Sequence, residues 1–219
     1  MNVEFLYEDL YILAVNKPSN LIVHPTLNPL RPHLLQFLKE KHEDLHLLHR
    51  LDADTTGVLI LAKGSENTKR FSLLFSNRNV EKVYHAIVEG RPPFNETTIR
   101  NHLAPMIGMK SQFTSVHSGG KVAETRFKIL SKGKKFSFVE AIPLTGRTHQ
   151  IRVHLAELGF PIVGDQKYGA PLRHFAQRPL LHASSLLFLH PITKEETKVI
   201  APLPNDFLEI LQALQLNKC

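Results

Sequence analysis

The sequence has a single cysteine, Cys219, in 219 residues. One thiol can neither close an internal disulfide nor assemble a thiolate metal site, so structure and chemistry must come from other groups. Long apolar runs are lacking as well, and none approaches the roughly 20 residues needed to cross a bilayer. The opening MNVEFLYEDL carries acids where a secretory leader would carry Lys or Arg before an apolar core, so a cytoplasmic location is expected. There are no internal repeats, low-complexity tracts or linkers, and neither a Walker-type loop nor a dinucleotide fingerprint.

What is present is an ordinary globular composition, 42% hydrophobic and 21% charged, which excludes a disordered chain, a coiled coil or a collagen-like repeat. Lys and Arg number 27 against 20 Asp and Glu, a net charge of +7. That excess favours an anionic partner, nucleic acid first.

Hydropathy patterning predicts a hairpin in VEFLYEDLYILAVNKP, turning at Glu8-Asp9 and stopping at Lys17-Pro18. A helix is predicted from about Pro32 to His46 on Leu34, Leu35, Leu38 and Leu45. The polar stretch HRLDADTTG reads as a loop feeding the buried strand VLILA, and Ser65 as the cap of a helix carrying Phe71, Leu74 and Phe75. The strand KVYHAIVEG follows. Residues 92–121 hold many turn formers with brief strand-like pieces between them. KVAETRFKIL and KFSFVEAIPL then form a hairpin whose loop uses Gly133 for a positive φ. A helix follows with Ile151, His154, Leu155 and Leu158 on one face and Gly159 as its stop. Two strands about Pro191 and a terminal helix on Phe207, Ile210, Leu211 and Leu214 complete the chain. Strands outnumber helices without regular alternation, so the expected class is α+β: a mixed, largely antiparallel sheet with flanking helices, in one domain over residues 1–219.

Three segments carry candidate chemistry. His42-Glu43-Asp44-Leu45-His46 fits H-E-x-x-H, whose histidines share a helix face and bind zinc while the glutamate acts as base. The site would also need a third ligand and burial, and the neighbouring Lys39, Glu40 and Lys41 suit a solvated turn instead. His149 and His154 stand five positions apart, which leaves their rings on different helix faces. The loop from His49 to Gly57 precedes a buried strand, where catalytic groups concentrate. The same residues also suit a turn in which Asp52 or Asp54 bonds its own backbone. Leu144 to Arg152 sets a glycine and two arginines at a helix start, where Arg147 can pair with a carboxylate or a phosphate. A capped helix with a solvated basic first turn fits equally.

HRLDADTTGVLILAK, EKVYHAIVEG, PLTGRTHQIRVHLAELGFPIVGDQKYG and LLHASSLLFLHP, preceded by VNKPSNLIVHP, stand in the order found in the RluA-type RNA pseudouridine synthases, and the chain closely resembles that family nearly end to end. Thr56 stands where serine is commoner in the family, and Phe160 where histidine often follows the glycine. The resemblance implies the pseudouridine synthase catalytic domain, without the separate N-terminal RNA-binding module of many relatives. By the resemblance, Asp52 is the catalytic aspartate, Tyr84 contacts the target base, Arg147 partners Asp52, and Leu181 packs beneath the base. The implied reaction breaks a carbon–nitrogen glycosidic bond and makes a carbon–carbon bond on the same uracil, with no net redox change. No cofactor and no metal are therefore expected. A carboxylate can stabilise or attack the anomeric centre, Arg147 would keep Asp52 ionised and oriented, and Tyr84 offers a stacking face and a proton-accepting hydroxyl. Candidate phosphate contacts are Lys17, Arg50, Lys82, Arg152 and Lys167, each in or beside a motif block. The expected partner is an rRNA or tRNA stem-loop, met by a monomer away from membranes. Two other classes stay open: a basic RNA-binding module without turnover, and a zinc hydrolase built on His42 and His46.

Overall fold

Two stretches, ILAV and VLILA, have no polar face, and a strand without alternation has to be covered on both sides. The computed structural model describes residues 3–25, 31–39, 42–109, 111–169 and 176–216. The chain forms two compact units, Met1–Lys82 with Ala183–Pro202, and Val83–His182 with Leu203–Cys219. Among the described residues no helix is long and apolar enough to cross a membrane.

In the first unit, β1 (Glu4–Glu8) and β2 (Ile12–Lys17) make the expected hairpin. Its turn is closed by Asp9, whose Oδ1 accepts the N–H groups of Tyr11 and Ile12, both at 2.7 Å. β2 pairs antiparallel with β4 (Thr56–Lys63), setting Leu13 opposite Leu61, Ala14 opposite Ile60 and Val15 opposite Leu59. Alternation sends Ile12, Ala14, Val58, Ile60 and Ala62 into one cluster with Phe71, Leu186 and Phe188. Leu13, Val15, Leu59 and Leu61 point the other way and are fully buried too. β3 (Leu45–Leu47) pairs with β4 on its far stretch, β10 (Leu181–Leu189) lies beside β4, and β11 (Glu196–Ile200) pairs with β10. The helix α2 (Ser65–Ser76) packs on β3 and β4 and supplies Phe71.

Two local expectations fail here. The helix α1 spans only Leu34–Lys39, and Leu45 belongs to β3. Leu45 keeps helical spacing from Leu38, but ladder bonding to β4 and burial outweigh that weak local preference. Glu40 and Lys41 lie outside the described residues. Ser65 is the first helical residue of α2 rather than its cap; that position is held by Gly64 at φ 85°.

In the second unit, β5 (Val80–Glu89), β9 (Phe136–Pro143), β8 (Lys121–Lys132), β6 (Glu96–Pro105) and β7 (Phe113–Val116) follow one another in that order, each pair antiparallel. The segment in which only brief strands were expected contains β6, a ten-residue strand. Its outward Glu96, Thr98, Arg100 and His102 are exposed and its inward positions mostly half-buried, so it lacks an apolar signature. The β8–β9 hairpin forms as expected, but Gly133 does not have positive φ. It is small for another reason: a Cβ there would crowd Leu216 and the carbonyl of Phe136. The helix α3 (Gln150–Glu157) packs on β7, β8 and β9, ending before Gly159 at φ 84°. The helix α4 (Asn205–Ala213) adds Phe207 and Leu211 to a core built from β5, β9, α3 and Leu180.

Candidate active site

The polar loop ahead of β4 is held by the chain around it. Lys17, at the end of β2, is completely buried, and its Nζ donates to the carbonyls of Pro18 (2.8 Å), Leu21 (2.9 Å) and Ala53 (2.7 Å). An ammonium has three protons, and each meets a carbonyl here. The Leu21 N–H also donates to Ala53 O (3.3 Å), Ser19 Oγ to Asp54 O (3.3 Å), and the Thr55 N–H closes a turn on Asp52 O (3.2 Å). At the loop's start His49 accepts the Ile60 N–H through Nε2 at 3.0 Å and stacks on Phe75 with ring centroids 4.9 Å apart. Burial, reinforced by the charge of Lys82, pushes the His49 imidazole down to about 3, which keeps it a neutral acceptor. At the loop's end Gly57 has φ 111°, and a Cβ there would overlap the carbonyl of Ala183, so only glycine fits. The backbone on both sides of Asp52 is thus fixed while its side chain stays half-buried.

In the second unit Tyr84 lies on β5 opposite Ala141 and packs, half-buried, against that unit's core. Arg147 sits in the turn before α3. Its Nε donates to Val122 O at 3.0 Å, and its N–H to Gln150 Oε1 at 3.0 Å. Among the described residues its Nη1 and Nη2 make no hydrogen bond. Gln150, only 3% exposed, organises this turn. Its Oε1 also accepts Thr145 Oγ1 at 2.6 Å, and its Nε2 donates to Glu124 O and Thr125 Oγ1, both at 2.9 Å. Gln150 and Thr145 went unremarked in the sequence because a glutamine at a helix start carries no periodicity signal; only its placement among buried neighbours reveals its role.

The other candidates divide by exposure. Arg50 and Lys167 are exposed and Lys82 is half-buried, while Leu181 is buried in the second unit's core. Lys17 and Arg152 are corrections to the surface reading. Lys17 is spent on carbonyls, and Arg152, 4% exposed, forms a two-pronged pair with fully buried Asp165, Nε to Oδ2 at 2.7 Å and Nη2 to Oδ1 at 2.8 Å. A cation held inside its own unit is not one that meets a phosphate. Arg152 is inside because α3 is covered all round, with every residue from Gln150 to Leu155 buried. His154 on that helix accepts Thr125 Oγ1 at Nδ1 and donates from Nε2 to Asn101 Oδ1, and burial pushes it down to about 4. The zinc pattern fails on geometry: α1 ends at Lys39 and His46 lies in β3, so the two histidines share no helix face. Among the described residues no cluster of three or more His, Cys, Asp or Glu is placed to hold a metal.

Residues 11–157 match the family model described as RNA pseudouridylate synthase. The chain is 34% identical over 97% of its length to ribosomal large subunit pseudouridine synthase C of Vibrio vulnificus, covering 70% of that protein. It is 36% identical over 99% of its length to the uncharacterized RNA pseudouridine synthase YlyB of Bacillus subtilis, covering 74% of it. Among solved structures, human RNA pseudouridylate synthase domain containing 4 superimposes with a TM-score of 0.79 at 30% identity, over 98% of this chain and 94% of that one. With the motif order and the antiparallel architecture, these matches make the chain a member of the RNA pseudouridine synthase family, isomerases that convert uridine in RNA to pseudouridine.

Proposed function

We propose that this chain isomerises specific uridines in a structured rRNA or tRNA, with Asp52 as the catalytic carboxylate and no cofactor. The observation that carries this reading is the loop around Asp52. Its backbone is tied through Ala53, Asp54 and Thr55, and a half-buried carboxylate is left on a rigid support. A fixed backbone carrying a half-buried carboxylate suits attack on, or stabilisation of, an electron-poor centre. In the reaction the bond from ribose to the uracil ring nitrogen breaks, one to a ring carbon forms, that carbon loses its proton, and the nitrogen gains one. Tyr84 stacks on the base and its hydroxyl assists removal of the carbon-bound proton. The role of Arg147 as partner of the catalytic carboxylate is carried by the family resemblance; its Nε stays on Val122 and its terminal nitrogens are of the kind that grips a carboxylate. Leu181 supports the base from below. The target nucleotide has to leave its stack, at a cost of a few kcal/mol that backbone contacts offset, and Arg50, Lys82 and Lys167 are the candidates for those contacts. The relatives named as large-subunit enzymes favour ribosomal RNA as the substrate class.

The test uses RNA from cells lacking the gene, tritiated on the uracil carbon that becomes glycosidic. Wild-type protein releases tritium and Asp52→Ala does not, with equal RNA retention by both. Retention without release from either would support the binding-module reading instead.

A further inference from the structure

The turn that carries Arg147 contains a strained residue. His149, directly before α3, has φ 56°, a left-handed conformation that a residue with a Cβ adopts only when its surroundings hold it there. Its ring is met by Tyr168. The Phe113 N–H at the start of β7 donates to the Tyr168 hydroxyl at 3.0 Å. The same hydroxyl is hydrogen-bonded to His149 Nδ1, 2.8 Å away. The His149 ring also meets Phe113 and Tyr168 edge-on, at centroid distances of 5.9 and 5.6 Å. The Tyr168 ring is fixed in turn by the Arg152 guanidinium, 5.2 Å from its centroid, which is itself locked on buried Asp165. A second tie from β7 to α3, Ser115 N–H to Glu157 Oε1 at 2.8 Å, leaves Tyr168 a stable bonding partner in that strand.

We propose that Tyr168 is a positioning residue for Arg147, acting through His149. Arg147 is gripped on its near side by Gln150, which takes its N–H, while its carbonyl accepts the Gln150 N–H at 3.1 Å. The direction in which the chain enters that grip is set two residues on, by the left-handed turn at His149. Without the hydroxyl bridge, His149 relaxes toward ordinary backbone angles and the guanidinium shifts relative to the reacting groups. A displacement on the order of 1 Å in such a group costs up to about a hundredfold in rate. Buried Arg152 and Asp165 thereby acquire a use that a phosphate-contact reading did not supply. The inference rests on the proposed role of Arg147.

Tyr168→Phe removes one oxygen and keeps the ring under Arg152. With enzyme in excess over tritiated RNA from cells lacking the gene, its rate of tritium release falls about tenfold or more, while RNA retention on filters stays within about twofold of wild type. The nitrogen resonance of His149 Nδ1 moves toward that of an unbonded ring. His149→Asn, which tolerates positive φ and offers an acceptor oxygen, retains more rate than His149→Ala. Wild-type rate in Tyr168→Phe alongside an inactive Arg147→Ala overturns this inference and leaves the proposed function standing. Rate loss that vanishes in excess enzyme overturns it as well, since the hydroxyl would then serve RNA binding. Full activity in Arg147→Ala removes the role of Arg147 and this inference with it.

Discussion

Replacing Lys17 with methionine tests whether the loop beneath Asp52 depends on a buried charge. Methionine keeps most of the side-chain length and loses the ammonium, so the carbonyls of Pro18, Leu21 and Ala53 lose the donor that each now meets at 2.7–2.9 Å. A buried acceptor left without a partner costs about 1–3 kcal/mol, so three could cost up to roughly 9 kcal/mol. The Ala53 carbonyl keeps the Leu21 N–H. Removing the charge also removes the desolvation cost of a completely buried ammonium, several kcal/mol in the opposite direction. The expected net loss is about 3 kcal/mol, a large share of the roughly 5–15 kcal/mol that domains possess. For a chain of this size that lowers the thermal midpoint by roughly 6–12 °C. Urea unfolding followed by circular dichroism reads the change directly, and tritium release measured well below the new midpoint shows how far the Asp52 loop has loosened. A wild-type urea midpoint in Lys17→Met would refute the claim that the ammonium organises this loop.

Asp52→Asn is expected to lower tritium release by at least about a thousandfold with stability changed by less than about 1 kcal/mol; residual turnover near wild type would remove its catalytic role. Gly57→Ala is expected to lose more than about 3 kcal/mol or to fail to accumulate in soluble form, because its Cβ overlaps Ala183; a soluble variant with a wild-type melting curve would contradict that contact. Arg152→Met takes the charge partner from the buried Asp165 carboxylate, which keeps the Lys167 N–H, and is expected to cost about 3–5 kcal/mol; weakened RNA binding at unchanged stability would restore the phosphate-contact reading. His154 is held down at about 4 in the folded chain against about 6.5 unfolded. The unfolded state therefore takes up the proton first, and the neutral imidazole's contribution, of order 3 kcal/mol, is full above pH 6.5 and is lost as pH falls toward 4. His154→Gln should flatten that part of the urea midpoint's pH profile, and an unchanged slope would show that another group titrates there.

The elements legible in the sequence were those whose side chains follow the backbone's own period. The β1–β2 hairpin, β4, the β8–β9 hairpin and α4 all declared themselves by alternation, an unbroken apolar run, a short turn or a helical stripe. The ten-residue β6 did not, because its inward side is mostly half-buried and its outward side is Glu, Thr, Arg and His. Leu45 misled for a related reason: its spacing suits a helix, and only pairing with β4 makes it strand. The motif blocks pointed to Asp52, Tyr84 and Arg147 by resemblance to the family. Supporting residues such as Lys17, Gln150 and Tyr168 stand in the same blocks, but the blocks do not say what those side chains hold.

By itself the sequence determined the family, the α+β class and the loop on which Asp52 stands, because motif order and hydropathy period are properties of the chain read in line. Tertiary structure decided which charges are available. Lys17 and Arg152 look like surface cations in the sequence, yet one is spent on carbonyls and the other on Asp165. It likewise brought Tyr168 to His149, nineteen positions away. Burial and partnership depend on what the rest of the chain folds against a residue, and no local pattern encodes that.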